Sequence, residues 1–219
     1  MKVLITEPLA EAGLERLREH VDVDVLLDLS PEQLADAIGG YDALVVRSAT
    51  TVTAEVLERA SNLKVVGRAG IGLDNVDVEA ATRQGVLVVN APQSNVLSAA
   101  EHTMALLLAQ ARNIPQAHAA LTAGSWERER WQGVELHGKT LGIVGLGRVG
   151  TLVAQRASAY GMRIIAFDPY VAPGRATQMG VELVPSVADI CRRADFLTVH
   201  LPKTPETVGI IGERELAQV

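Results

Sequence analysis

Along most of this chain, short apolar runs rich in valine and isoleucine alternate with longer stretches in which leucine and alanine recur every three or four residues. The first pattern suits strands buried on both faces and the second suits amphipathic helices, so the alternation predicts an α/β fold with parallel sheets covered by helices. Residues 2–6 read as the first strand, and Leu14, Leu17 and Val21 then recur on one helical face. A second strand is expected at 23–27, after which Ser30 and Pro31 supply an N-cap and a first-turn proline for a helix carrying Leu34 and Ile38. The strand 43–46, helix 54–60, strand 63–67, helix 78–84 and strand 86–90 follow in turn. Five strands joined by four helices make a flavodoxin-like unit.

Ala91 and Pro92 close that unit, and 94–113 reads as a long helix that is apolar almost all round. Such a helix is expected to be buried between domains or subunits. Residues 122–137 read as a linker holding both tryptophans, Trp126 and Trp131, which suit either packing anchors or an interface. A second sheet is expected from strands at 141–144, 163–167, 181–184 and 196–200, followed by a loop and short helix over 206–217. The expected organisation is a flavodoxin-like domain at 1–92, a helix and linker at 93–137, and the first part of a second, doubly wound α/β domain at 138–219.

Composition narrows the partners. With 48% hydrophobic and only 3% aromatic residues, the core must be mainly aliphatic. A formal net charge of -6 gives no global attraction to nucleic acid or to an anionic membrane, so an anionic ligand has to be held by local arginines and helix ends. The single Cys191 excludes an intramolecular disulfide, and its setting between Ile190 and Arg192 suits a packed thiol. No apolar run approaches the ~20 residues that span a bilayer. A cytoplasmic protein acting on a small molecule is the expectation.

The strongest motif is Gly145-Leu146-Gly147-Arg148-Val149-Gly150, entered from the apolar run 141–144 and followed, 18 residues past Gly150, by Asp168 at the end of the next apolar run. In this dinucleotide fingerprint, Gly145 permits the tight turn, Gly147 lets backbone approach a pyrophosphate, and Gly150 lets helix and strand pack closely. Asp168 is expected to accept hydrogen bonds from the adenosine ribose and to repel a 2'-phosphate, which favours NAD over NADP; it also suits a turn before Pro169. Arg148 can reach the pyrophosphate or remain a solvated charge. His200, at the carboxyl end of a strand, is an acid or base by type, although no orienting carboxylate is evident and a packing role near the cofactor fits better. Only 75 residues run from Gly145 to Val219, about half of what a six-stranded dinucleotide domain needs. A sheet ending after about four strands is expected to leave apolar edge and face exposed.

A second site is expected upstream. Arg47, with Ser48 and Thr50, follows one buried strand, and Arg68 ends the next, ahead of Gly70, Ile71 and Gly72. Paired guanidinium groups beside a glycine-rich nest suit a carboxylate or phosphate. Ion pairing of these arginines with Asp74 or Asp77 is the structural alternative.

With these residues in view, the chain resembles the NAD-dependent D-2-hydroxyacid dehydrogenases. The likeness rests on VRSAT at 46–50, GRAGIGLDNVD at 67–77, VNAP at 89–92, SAAEHT at 98–103, GIVGLGRVG at 142–150, FDPY at 167–170 and VHLPKTPET at 199–207. VRSAT together with the RAG-rich block narrows it to the branch acting on phosphoglycerate; glyoxylate- or D-lactate-type enzymes are the alternative. The resemblance implies that Arg47 and Arg68 bind substrate phosphate or carboxylate, that Gly70, Ile71 and Asn95 line the cleft, and that Leu201 and Pro202 touch the cofactor. It further implies assembly as a homodimer or tetramer through the long helix and the region of Trp126 and Trp131. The family's catalytic arginine, acid and histidine belong to motifs this sequence does not contain. By itself the chain is therefore expected to be a non-catalytic nucleotide-binding fragment.

Overall fold

A computed structural model describes all residues from Met1 to Val219, and the chain forms two compact units, Met1–Asn95 and Val96–Val219. In the first, strands β1 (Lys2–Ile5), β2 (Asp22–Val25), β3 (Ala43–Val46), β4 (Val65–Arg68) and β5 (Leu87–Asn90) are all parallel, in the order β2-β1-β3-β4-β5. This is the flavodoxin-like order expected from the alternating pattern. The connecting helices are α1 (Glu11–Arg18), α2 (Pro31–Ala37), α3 (Ala54–Arg59) and α4 (Val78–Arg83), with a 3-10 turn at Ile38–Gly40. Their starts are written in local chemistry. Ser30 and Gln33 form a reciprocal capping box ahead of α2, Thr53 accepts from Val56 N–H, and Asp77 accepts from Ala80 N–H.

Successive strand residues feed opposite faces of this sheet. Leu4, Leu44, Val46 and Val66 pack with Leu34, Ile38, Val56 and Leu57 on one side, while Val3, Ile5 and Ala43 pack with Leu14 on the other. The sheet reverses its direction of growth between β1 and β3, where the crossover helices change face and ligands gather in open α/β sheets.

The second unit opens with α5 (Val96–Ala111) and α6 (Ile114–Thr122) and continues through β6 (Thr140–Val144), α7 (Arg148–Ala159), β7 (Arg163–Phe167), α8 (Pro173–Gln178), β8 (Val181–Leu183), α9 (Val187–Arg193), β9 (Phe196–Val199) and α10 (Glu213–Leu216). Its four parallel strands run β8-β7-β6-β9, so the reversal lies between β6 and β9. Strand β6 is buried throughout. Ala100, Met104 and Ala111 of α5 join Val153, Ala154 and Ala157 of α7 in one core cluster, in which the four alanines let the two helices approach closely.

Three expectations need correction. The long helix begins at Val96 rather than Ser94 and ends at Ala111, because Asn113 adopts a left-handed conformation (φ 52°) and Pro115 opens a separate helix instead of merely breaking one. Although apolar almost all round, α5 leaves Leu97 and Leu106 exposed within this chain. Trp126 is 77% exposed and so is no packing anchor, whereas the indole nitrogen of Trp131 is buried without a hydrogen-bond partner and Arg130 stacks 4.7 Å from its ring centroid. Cys191 is fully buried, as expected of a packed thiol. No helix is long and apolar enough to cross a membrane.

Candidate functional site

In the first unit, the segments leaving β1, β3 and β4 meet at the carboxyl edge of the sheet. Val46 is in register with Arg68, so Arg47 follows immediately beyond its neighbour's level. Neither arginine is ion-paired to Asp74 or Asp77. Asp77 caps α4 instead, and Arg47 Nη1 reaches only the carbonyl of Pro8, at 3.4 Å. Arg68 folds back over its own loop so closely that a Cβ at Gly70 would strike its guanidinium, and its Nε is buried without a partner. Ser48 is exposed. Gly70 and Ile71 continue the β4 loop, which is tied to the next strand by Ala91 N–H donating to Gly70 O (2.9 Å) and Asn90 Nδ2 donating to Ile71 O (2.7 Å). Asn95 is the exposed last residue of this unit, just beyond a turn in which Ser94 N–H donates to Ala91 O.

Two residues at this edge escaped the sequence reading. The Glu7 carboxylate accepts from the backbone N–H groups of Arg47 (2.7 Å), Thr50 (2.9 Å) and Ala49 (3.0 Å). Burial pushes its pKa upward, but the donors from Thr50, Ala49 and Arg47 together outweigh that and hold it below the ordinary glutamate value. The Asn75 amide nitrogen donates to the carbonyls of Arg47 (2.7 Å) and Thr50 (2.6 Å). The Thr50 hydroxyl is committed to Thr6, at 2.9 Å. The signal that could have found Glu7 is a carboxylate two residues past a buried strand on one side of the sheet's reversal point.

In the second unit, Gly145 and Gly150 stand where the backbone leaves no room for a side chain. Gly145 has φ 95°, and a Cβ there would lie 2.6 Å from the His200 carbonyl oxygen. At Gly150 a Cβ would collide with the Gly145 carbonyl oxygen, so only glycine lets α7 start this close to β6. Gly147 faces open space, with nothing within 4 Å of its Cβ position. No side chain caps α7, whose first backbone bond is Thr151 N–H to Gly147 O (2.9 Å), so its leading N–H groups are directed outward with Arg148 and Val149 in the first turn. Asp168 Oδ2 accepts from Leu146 N–H (2.8 Å) and Oδ1 from Tyr170 N–H (2.9 Å), which fixes the carboxylate and leaves acceptor capacity on each oxygen. His200 N–H donates to Val144 O, and its Nε2 lies 2.9 Å from the Thr198 hydroxyl. Burial holds the imidazole pKa below the ordinary histidine value, favouring the neutral ring. Leu201 packs inward beside Gly145, while Pro202 is exposed and its carbonyl accepts from the Thr207 hydroxyl. An open glycine, an uncapped helix start and a fixed carboxylate together fit a dinucleotide's pyrophosphate and ribose.

The family model for D-isomer specific 2-hydroxyacid dehydrogenases, catalytic domain, matches residues 3–208. The chain belongs to this family. It is 53% identical, over 99% of its own length and 41% of the other's, to D-3-phosphoglycerate dehydrogenase of Methanocaldococcus jannaschii. It thus spans about two-fifths of that relative. Among solved structures, the TT0316 protein of Thermus thermophilus superposes with a TM-score of 0.86 at 36% identity, covering 94% of this chain and 67% of that one. An acyclic imino acid reductase (Bsp5), solved with NADPH and D-Arg, gives a TM-score of 0.86 at 26% identity, covering all of this chain and 71% of that one. A bound nicotinamide cofactor therefore occurs among its structural neighbours.

Proposed function

We propose that this chain supplies the anion-binding and dinucleotide-binding parts of an NAD-dependent D-3-phosphoglycerate dehydrogenase. The reaction oxidises 3-phospho-D-glycerate to 3-phosphohydroxypyruvate, the opening step of L-serine synthesis. The observation that carries the reading is the pair Arg47 and Arg68, at adjacent strand ends on the reversal side of the first sheet and free of carboxylate partners. Two guanidinium groups suit an acid that bears both a carboxylate and a phosphate. The identity to the Methanocaldococcus enzyme supports the same substrate.

In this reading the domain at 1–92, together with Asn95 just beyond it, holds the acid, with Arg47, Ser48, Arg68, Gly70 and Asn95 as contacts, and 138–219 holds the dinucleotide. Gly145, Gly147, Arg148, Val149 and Gly150 meet the pyrophosphate, Asp168 the ribose hydroxyls, and His200, Leu201 and Pro202 the remainder of the cofactor. When bound, NAD accepts the hydride from the hydroxyl-bearing carbon. This chain's own residues bind and orient; no arginine, acid and histidine set for the proton transfer is assigned to it, and the 219 residues alone are expected not to turn over. The carboxylate of Asp168 favours NAD over NADP. The exposed Trp126, with Leu121 and Ala117 around a depression of about 260 Å³ beside Trp131, supports assembly of two or more copies through this region.

Calorimetric titration with 3-phospho-D-glycerate, D-lactate and glyoxylate tests the substrate. Binding of the phosphorylated acid alone is expected, reduced roughly tenfold or more by Arg47→Ala. Preference for an unphosphorylated acid would move the chain to another branch of the family.

A further inference from the structure

We propose that Glu7 and Asn75 are positioning residues: Glu7 is a built-in anion seated in the backbone N–H nest of loop 47–50, and with Asn75 it fixes the conformation from which Arg47 and Ser48 meet a substrate anion. Only the final clause rests on the substrate reading above.

The loop has little regular structure of its own, yet five of its eight backbone polar groups are held by two side chains. N–H groups of Arg47, Ala49 and Thr50 go to the two oxygens of Glu7, and carbonyls of Arg47 and Thr50 go to the amide nitrogen of Asn75. Both side chains arrive from far along the chain, Glu7 40 to 43 residues away and Asn75 25 to 28. Each is only 9% exposed. Glu7 has no cationic partner among the ion pairs, so the converging N–H dipoles are what make its buried charge tolerable.

Three N–H groups converging at a strand end would otherwise form an anion site in themselves. Because a side chain of the protein occupies it, an external anion cannot use it. Recognition passes to the guanidinium of Arg47 and the exposed Ser48, one step further out. Glu7 therefore sets both the shape of the loop and which of its groups remain available.

The test uses the 219-residue chain and amide hydrogen exchange, which needs no bound ligand. In Glu7→Ala the amides of Arg47, Ala49 and Thr50 should exchange roughly tenfold faster or more, and high concentrations of formate should restore their protection by refilling the nest. In Glu7→Gln, which keeps one acceptor oxygen and preserves packing, only part of the set should lose protection. Affinity for 3-phospho-D-glycerate should fall roughly tenfold in Glu7→Ala and recover with formate, a recovery that a mere packing role would not produce. Unchanged exchange in both variants overturns the proposal, as does lost protection without any loss of affinity. If the unaltered chain does not bind the acid, the substrate reading fails, and exchange with and without formate still decides whether Glu7 fills the nest.

Discussion

Both sheets are parallel and reverse their direction of growth beside their first strand, after one outward strand in the first sheet and two in the second, and they treat that point in opposite ways. At the end of β1 and β3 the backbone N–H groups are filled by a carboxylate of the protein, Glu7, and positive charge is presented by side chains. At the end of β6 the chain strips side chains away, leaving Gly147 in open space before the uncapped start of α7. One edge thus offers guanidinium groups with individual reach, suited to a small acid with separated charges. The other offers the backbone itself, suited to a pyrophosphate lying along it. A parallel sheet provides the location, and whether the nest is left open decides what can bind there.

The sharpest way to break this contrast is to refill the open edge. Gly150→Val would drive a side chain into the Gly145 carbonyl and should destabilise the second unit by about 3 kcal/mol. Both tryptophans lie in that unit, so their fluorescence should report a lower melting temperature. Arg47→Ala and Arg68→Ala remove charge from the other edge, and each should weaken binding of the phosphorylated acid by about 2 kcal/mol while calorimetric melting stays nearly unchanged. Gly147→Ala adds a methyl where nothing stands within 4 Å. It should leave stability within about 0.5 kcal/mol while lowering NAD affinity roughly tenfold, measured by titration quenching of tryptophan fluorescence. If Gly147→Ala binds NAD normally, the backbone of this turn does not meet the pyrophosphate.

The smallest effect is on pH. Because the pKa of Glu7 is held below its unfolded value, its contribution to stability is fully present above about pH 4.3 and is lost as pH falls through the folded value. The first unit should therefore lose stability on acidification more steeply in the native chain than in Glu7→Gln, read from calorimetric melts at a series of acidic pH values. Parallel slopes in the two proteins would remove Glu7 as a charged clamp. In the second unit, Asp168→Ala should narrow the preference for NAD over NADP, measured as a ratio of dissociation constants.

What could be read from residues alone follows the range of the interactions involved. The strands were legible because Val3, Leu4 and Ile5, or Ile164, Ile165 and Ala166, carry their burial in consecutive positions. The fingerprint was legible because Gly145, Gly147 and Gly150 act within six residues on one turn. Glu7 and Asn75 were not, since nothing near either one in sequence shows that their polar atoms belong to loop 47–50. Helix α6 was missed for a different reason: Pro115 has the same identity whether it ends a helix or, as here, begins one after a left-handed Asn113.

Gly70 shows how a missing methyl group can store charge. Its backbone needs no left-handed geometry, and the three atoms nearest a Cβ there all belong to the flexible side chain of Arg68. Alanine at 70 would thus act as an eviction notice to one guanidinium, moving positive charge off its resting place while leaving the fold intact. The variant would change how far that arginine must travel to greet a ligand, and the rate of capture, more than the strength of the final grip, would register the difference.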